Sequence, residues 1–184
     1  MRIVMAAALG IALAAAPAMA QRTAVSAGLS PEMAGEAFAR AVMDVCVPAV
    51  AGNGVSSLGA AREGKLNPTQ DAEMRQQAGA AANETVWEVA DARGVVTVRE
   101  AAGRCTVSVY GPAVAPTIVG AMQSLGGAGF EATAGAAGGD GFRQTLLGTR
   151  DGKRVSVQLA GAEPGSAGHQ SRFSVTTANV FVAQ

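Results

Sequence analysis

The chain has 184 residues, with 14 basic side chains, 14 acidic side chains and a single histidine. A formal charge of zero provides no electrostatic attraction to nucleic acid or to an anionic membrane surface, so we expect no nucleic-acid partner. One histidine and two cysteines cannot form an ordinary three- or four-ligand zinc site unless carboxylates complete it. The length predicts one domain.

The first twenty residues have the features of a secretory signal. A positive charge at Arg2 precedes the uncharged apolar run Ile3–Ala16, and Ala18 and Ala20 place small residues before a cleavage site. A membrane anchor or a buried helix is the alternative interpretation, but a spanning helix needs about 20 apolar residues. We therefore predict a signal peptide over residues 1–20, a periplasmic or secreted protein, and no stable membrane span after cleavage.

Cys46 and Cys105 are the two cysteines of the chain. In an oxidising compartment such a pair most simply forms one disulfide. The bridge would close a loop of about 60 residues, which contributes roughly 4 kcal/mol in the chain-entropy model. Redox-active cysteines more often lie close together in the sequence, as in Cys-x-x-Cys. Two free, buried thiols are the alternative to this predicted disulfide.

Residues 21–29 are predicted to be a flexible lead-in to a single domain over residues 30–184. A helix is predicted to begin at Ser30-Pro31-Glu32, which supplies an N-cap, a first-turn proline and an acidic side chain. Pro48 and the cluster Gly52-Asn53-Gly54 are predicted to end it. The apolar stripe of this helix comprises Phe38, Ala41, Val42, Val45 and Ala49, with Cys46 beside it in the last turn.

Two weaker helices are predicted before the first strand. Residues 58–62 favour a short irregular helix within a loop, and the segment 67–71 is predicted to start a further helix with its body at 72–78. The apolar face of this last helix is poor, so we expect a surface helix or a flexible arm.

From residue 84 onward the hydrophobic period changes to two, which indicates strands. Turn signals at 91–94 and 102–104 divide the segment into three strands, as in an antiparallel meander. The alternating positions that define the strands are Thr85, Trp87 and Val89, then Val96 and Val98, then Cys105, Val107 and Val109.

The second part of the chain begins with a predicted helix over 116–125, which Gly126-Gly127 is expected to stop. Asp151-Gly152 is a strong signal for a two-residue hairpin between two strands. The predicted strands are a short one within 130–134, then 142–149, 154–160 and 171–177, the last extended by 180–182.

This order of elements predicts an α+β fold: an antiparallel sheet of about six to seven strands, packed by two to three helices and braced by one disulfide. The strand segments 105–109 and 154–157 resemble each other loosely. Alternation alone produces such a likeness, so the sequence does not predict an internal repeat.

Three further segments carry a resemblance to known proteins: the helix end Val45-Cys46-Val47-Pro48, the strand around Trp87, and Gly103-Arg104-Cys105-Thr106-Val107. Together with the leader, they resemble an uncharacterised group of proteobacterial exported proteins over about residues 30–125. The resemblance implies export and this order of elements, and it implies no activity.

The sequence shows no constellation typical of catalysis. His169 lies in a predicted hairpin loop, and neither a Gly-x-Ser-x-Gly elbow nor a Ser-x-x-Lys motif occurs. The carboxylate pairs Asp71/Glu73 and Glu84/Glu88 are expected to be solvated, since nothing nearby predicts the burial that shifts a carboxyl pKa. We therefore predict no catalytic, cofactor-binding or metal-binding residues.

Two features point to binding instead. Arg150, Lys153 and Arg154 flank a hairpin tip, where an anion or an acidic partner could bind, although a charged turn is more often simply solvated. Trp87 is expected in the core and not in a stacking site. We predict an exported, non-catalytic interaction or accessory domain with a protein partner; the alternatives are a module for a small apolar ligand held between sheet and helix, and a hydrolase.

Overall fold

The computed structural model describes residues 30–90, 96–133, 142–166 and 173–183. It has the α+β fold that the sequence predicts: one antiparallel sheet with helices packed on one face. The helical elements are α1 Pro31–Ala41, a π-helical turn Val42–Cys46, α2 Val47–Ala51, a 3-10 turn Val55–Ser57, α3 Gly59–Arg62, α4 Ala72–Gln77 and α5 Val114–Gly127. The strands are β1 Leu66–Pro68, β2 Thr85–Val89, β3 Val96–Ala101, β4 Arg104–Tyr110, β5 Glu131–Ala132, β6 Phe142–Arg150, β7 Lys153–Ala162 and β8 Val175–Val182.

The sheet has eight strands in the order β1-β2-β3-β4-β8-β7-β6-β5, and every neighbouring pair is antiparallel. Each half of the sheet is a four-stranded meander preceded by a helix, and the two meanders meet where β4 pairs with β8. The chain thus repeats one arrangement, helix then meander, which the alternation within the strands does not predict.

Side chains alternate between the two faces of the sheet because successive strand residues point in opposite directions. The face toward α1, α2 and α5, here the helix-covered face, holds the hydrophobic core. Its buried residues include Trp87, Val96, Val98, Cys105, Val107, Val109, Leu146, Val155, Val157, Leu159, Ala178 and Val180. Trp87 is therefore a core residue, as predicted.

The first helical segment begins as the sequence predicts. The Ser30 hydroxyl accepts a hydrogen bond from the Met33 amide at 3.3 Å, which satisfies one of the free donors of the first turn. All five residues of the predicted stripe are buried. The helix continues through Pro48 to Ala51, so Pro48 does not end it. A proline ring clashes with the carbonyl four residues before it, and the π-helical turn Val42–Cys46 widens the helix at that point.

The predicted disulfide between Cys46 and Cys105 is confirmed. The two Cα atoms are 5.3 Å apart across a sequence separation of 59 residues, and both residues are fully buried, at 0% and 1% exposure. Cys46 is the last residue of the π-helical turn and Cys105 lies on the helix-covered face of β4. The bridge therefore fastens the first helical segment to the centre of the sheet.

Helix α5, which precedes the second meander, is held against the sheet without a covalent bond. It crosses α1 where two glycines meet: a Cβ at Gly35 would lie 3.3 Å from the Cα of Gly120. Its first turn rests on Gly161 of β7, where a Cβ would overlap Cγ1 of Val114. After its end, the Phe130 ring covers Gly148 of β6 so closely that a Cβ there would lie 2.8 Å from the ring.

Some predicted boundaries are corrected. Residues 66–68, which overlap the predicted helix start at 67–71, form strand β1 beside β2. The helix body predicted at 72–78 is found as α4, and its N-cap is Asp71, whose side chain accepts from the Met74 amide at 2.9 Å. The edge strand β1 brings the sheet to eight strands where six to seven were predicted. Helix α5 spans Val114–Gly127, so Gly126-Gly127 belongs to it. The last strand begins at Val175, later than predicted.

The hairpin predicted at Asp151-Gly152 is confirmed. Both residues have positive φ, 50° and 74°, as a two-residue turn of type I′ requires. The predicted turn at 91–94, the signal peptide 1–20 and the lead-in 21–29 lie outside the described residues.

Candidate functional site: the outer face of the sheet

The face of the sheet opposite the helices, here the outer face, carries mostly polar side chains. Its central positions are cross-strand neighbours: Arg99 pairs with Thr106, Thr106 with Asn179, and Asn179 with Gln158. The Thr106 hydroxyl donates to the Asn179 side-chain oxygen at 2.9 Å, which orders the centre of the face.

In the first half of the sheet, the outer face is covered. The segment joining β1 to β2, residues 69–84 and here called the arm, contacts it at Arg99. The Arg99 guanidinium donates to the Gly79 carbonyl and lies 3.5 Å from the Glu84 carboxylate. Glu84 in turn accepts from the Ala81 amide at 2.9 Å. The arm is therefore held by a hydrogen bond within it and by its contacts with Arg99 of the sheet. The charge of Arg99 is therefore paired within the molecule.

Hydroxyl groups beside Arg99 are buried on this half of the outer face. Thr97, Ser108 and Tyr110 are 1%, 6% and 8% exposed. Burial raises the pKa of Tyr110 above its ordinary value of 10.0, because the phenolate loses hydration, while hydrogen bonds from Thr97 and Ser108 and the charge of Arg99 oppose the shift. This region is a packed polar layer and not an accessible surface.

The second half of the outer face is different, because its charged side chains are exposed. Arg143 on β6 and Arg154 and Gln158 on β7 are all exposed. The exposed region extends across the border between the halves to Arg104, at the start of β4. The Arg104 guanidinium lies 6.0 Å from the centroid of the half-buried Phe181 ring on β8. Within the described part of the chain, none of these three arginines forms an ion pair.

A groove of about 420 Å³ runs across this exposed region. It crosses three adjacent strands, so the side chains on its floor are held by the sheet itself. Its lining comprises Arg143, Gln144, Thr145, Gln158, Leu159, Ala160 and Asn179. Guanidinium and amide groups dominate the lining, and these groups donate hydrogen bonds to carboxylates and to backbone carbonyls.

The carboxylates singled out in the sequence do not form a joint site. Asp71 caps α4, Glu84 pairs with Arg99, and Glu88 lies on the outer face of β2. Asp71 and Glu84 therefore stabilise local structure. His169, in the predicted hairpin loop, lies outside the described residues.

The predicted basic hairpin tip is divided between the two faces. Lys153 turns toward the helices and donates to the Ala51 carbonyl at the end of α2, where a cation is favourable to the helix dipole. Arg154 points to the outer face instead, because adjacent strand residues alternate.

Two carboxylates have roles that sequence patterns did not indicate. Glu100 accepts from the Val55 amide at 2.8 Å and so holds the loop after α2. Glu163 accepts from the Val114 amide at 2.8 Å and from the Ser174 hydroxyl, so it caps α5 from a distant loop. A cap supplied from 49 residues away leaves no local signal in the sequence.

A second cleft, of about 280 Å³, lies between α1 and the edge of the sheet. It bears on the alternative of a small ligand held between sheet and helix. It is lined by Ala37, Arg40, Ala41, Asp44, Val45, Ala60, Lys65, Leu66 and Val89. Its volume is below the range of about 300–1,000 Å³ that ligand pockets usually have. A third cleft, between the end of α2 and the turn from β3 to β4, has a volume of about 430 Å³ and falls within that range. Its lining comprises Ala49, Val50, Gly52, Asn53, Gly54, Asn83, Thr85, Glu100, Ala101, Ala102, Gly103, Arg104 and Cys105.

Over residues 30–90, 96–133, 142–166 and 173–183, no group of three or more His, Cys, Asp or Glu side chains is arranged to hold a metal ion. Across the same residues, no helix has the length and apolar character that a membrane span needs. Comparison of the chain with protein-family models, with curated proteins and with solved structures finds no match in any of the three.

Proposed function

We propose that this protein is an exported, non-catalytic interaction domain that binds a protein partner through the exposed half of its outer face. One observation carries the proposal: the same sheet pairs and covers Arg99 in its first half and leaves Arg143, Arg154 and Gln158 exposed in its second half. Arginine and aromatic side chains on a rigid surface are typical of protein interfaces.

Two further observations support export. The leader has the pattern of a signal peptide, and the buried Cys46–Cys105 disulfide is a bond that persists mainly in oxidising compartments. Sequencing the N-terminus of the protein recovered from the periplasm or the medium tests this part. We expect the mature chain to begin at Gln21, and recovery of the uncleaved chain from the cytoplasm would contradict it.

Site-specific crosslinking in the cell of origin tests whether a protein partner binds the exposed half of the outer face. A photoreactive amino acid at Gln158 is expected to capture a partner protein, whereas the same amino acid at Gln123, on the exposed side of α5, is expected to capture none. Both side chains are exposed glutamines, so the two variants differ in the face that they probe. Equal capture at both positions, or capture at neither, would contradict the proposal.

A further inference from the structure

The exposed arginines, two in the second half of the sheet and Arg104 at its border on β4, make this part of the outer face positively charged. On β4 to β8, the outer-face positions hold Arg104, Arg143 and Arg154 against one carboxylate, Glu131 on the edge strand β5. The chain as a whole has no net charge, so the positive charge is a property of this face.

The arginines are too far apart to bind one small anion. Strands lie about 4.8 Å apart and rise about 3.3 Å per residue, so the register places the Cα atoms of Arg104 and Arg154 about 12 Å apart. The same geometry places Arg143 about 20 Å from each of the other two. A single phosphate or carboxylate spans a few ångströms, whereas a protein interface of standard size covers about 800 Å² on each partner.

The arrangement also differs from what nucleic acids and membranes require. Duplex DNA carries one charge per 1.7 Å or so and is bound by many cations together. Anionic membranes are recognised by clusters of about four to eight basic residues. Three arginines spread over about 20 Å, with Asn179, Gln158 and Phe181 between them, fit carboxylates scattered on a folded protein.

From this we infer that Arg104, Arg143 and Arg154 bind an acidic patch on the surface of the protein partner. The inference rests on the proposed function and deepens it by naming the chemistry of the partner. The guanidinium groups would each pair with a carboxylate of the partner, and Arg104 is held over the Phe181 ring, which limits its motion before binding.

The first experiment measures binding of poly-L-glutamate to the mature protein at 50 mM and 300 mM NaCl. We expect salt to weaken binding, and R143Q/R154Q to weaken it by roughly tenfold at low salt, since an exposed ion pair contributes up to about fivefold each. The control is R40Q/R150Q, which removes two exposed arginines away from the outer face. Arg40 lies on α1, and Arg150 is the cross-strand partner of Lys153, whose side chain turns toward the helices. This control is expected to change the affinity less than about twofold.

A 20-base-pair DNA duplex and phosphatidylglycerol vesicles are measured beside poly-L-glutamate. Tighter binding of either one overturns the inference, and so does an equal loss in the two double variants. All four arginines are exposed, so thermal unfolding of both variants should match that of the wild type.

The second experiment separates this inference from the proposed function. The crosslinker at Gln158 is combined with R143Q/R154Q and with R40Q/R150Q. Capture that falls with the first pair and persists with the second supports an acidic partner. Capture that persists with both pairs leaves the proposed function standing and overturns the charge inference, whereas no capture in the wild type overturns the proposed function.

Discussion

The two halves of this molecule share one arrangement and use it differently. The first helix-and-meander unit has its helix fastened by the Cys46–Cys105 bridge, and its outer face is closed over Arg99. The second unit fastens its helix by the close approach of Val114 to Gly161 and by the Glu163 cap, and leaves Arg143 exposed. The first unit therefore fixes the fold by a covalent bond and a closed outer face, whereas the second unit leaves an exposed surface.

Loss of the disulfide is expected to lower the stability of the protein most. The double variant C46A/C105A should lower the free energy of unfolding by about 4 kcal/mol, because the bridge closes a loop of 59 residues in the unfolded chain. Urea denaturation of variant and wild type measures it.

Hydrogen exchange then shows whether the bracing belongs to the first unit. Amides of α1 should lose protection in C46A/C105A before those of α5 do. Equal loss of protection in both helices, or a change in the free energy of unfolding below about 1 kcal/mol, would show that the disulfide does not hold the first unit in particular.

A substitution at Gly161 tests how helix α5 is held against the sheet. Gly161→Ala places a Cβ on Cγ1 of Val114, and the expected cost is about 1–3 kcal/mol because both groups belong to fixed elements. Chemical denaturation measures the change.

The matched control for this substitution is Gly126→Ala. No atom lies within 4 Å of a Cβ at that position in α5, so we expect a gain of about 0.5–1 kcal/mol from the lower entropy of the unfolded chain. If Gly161→Ala is tolerated as well as Gly126→Ala, the contact with Val114 does not hold the helix.

A smaller effect concerns the distant cap of α5. Glu163→Gln keeps an oxygen acceptor but removes the negative charge at the helix N-terminus, and we expect a loss of about 1 kcal/mol. Glu131→Gln, at an exposed carboxylate on β5, is the control and should change the stability little. Equal stability of the two variants would show that the charge of Glu163 does not support the second unit.

Local patterns made much of the fold predictable. The Ser30 cap, the stripe from Phe38 to Ala49 and the Asp151-Gly152 turn depend on neighbouring residues, and each is found where the sequence predicts it. Pro48 was misinterpreted as a helix end because the π-helical turn that accommodates it leaves no simple periodic signal.

Features that depend on distant contacts were not predictable in the same way. Strand β1 has three residues, one of them proline, and it is a strand because β2 lies beside it. The exposed and covered halves of the outer face likewise differ by the arm at Gly79, which alternation in the strands cannot reveal. The disulfide was predictable since the chain has only two cysteines.

The ionisation of Tyr110 tests the covered half of the outer face, and we expect it to change the stability least. Tyr110 has a raised pKa in the folded protein, so its neutral form is favoured there. The unfolded chain loses this proton near pH 10, while the folded chain keeps it to higher pH. The stabilising contribution is therefore complete below pH 10 and is lost as the pH rises through the folded pKa. Thermal unfolding from pH 8 to 11 should show a decline that is shallower in Tyr110→Phe, because the chain has no other tyrosine. Identical slopes in the two proteins would mean that Tyr110 is hydrated in the folded state, and the first half of the outer face would then be as open as the second.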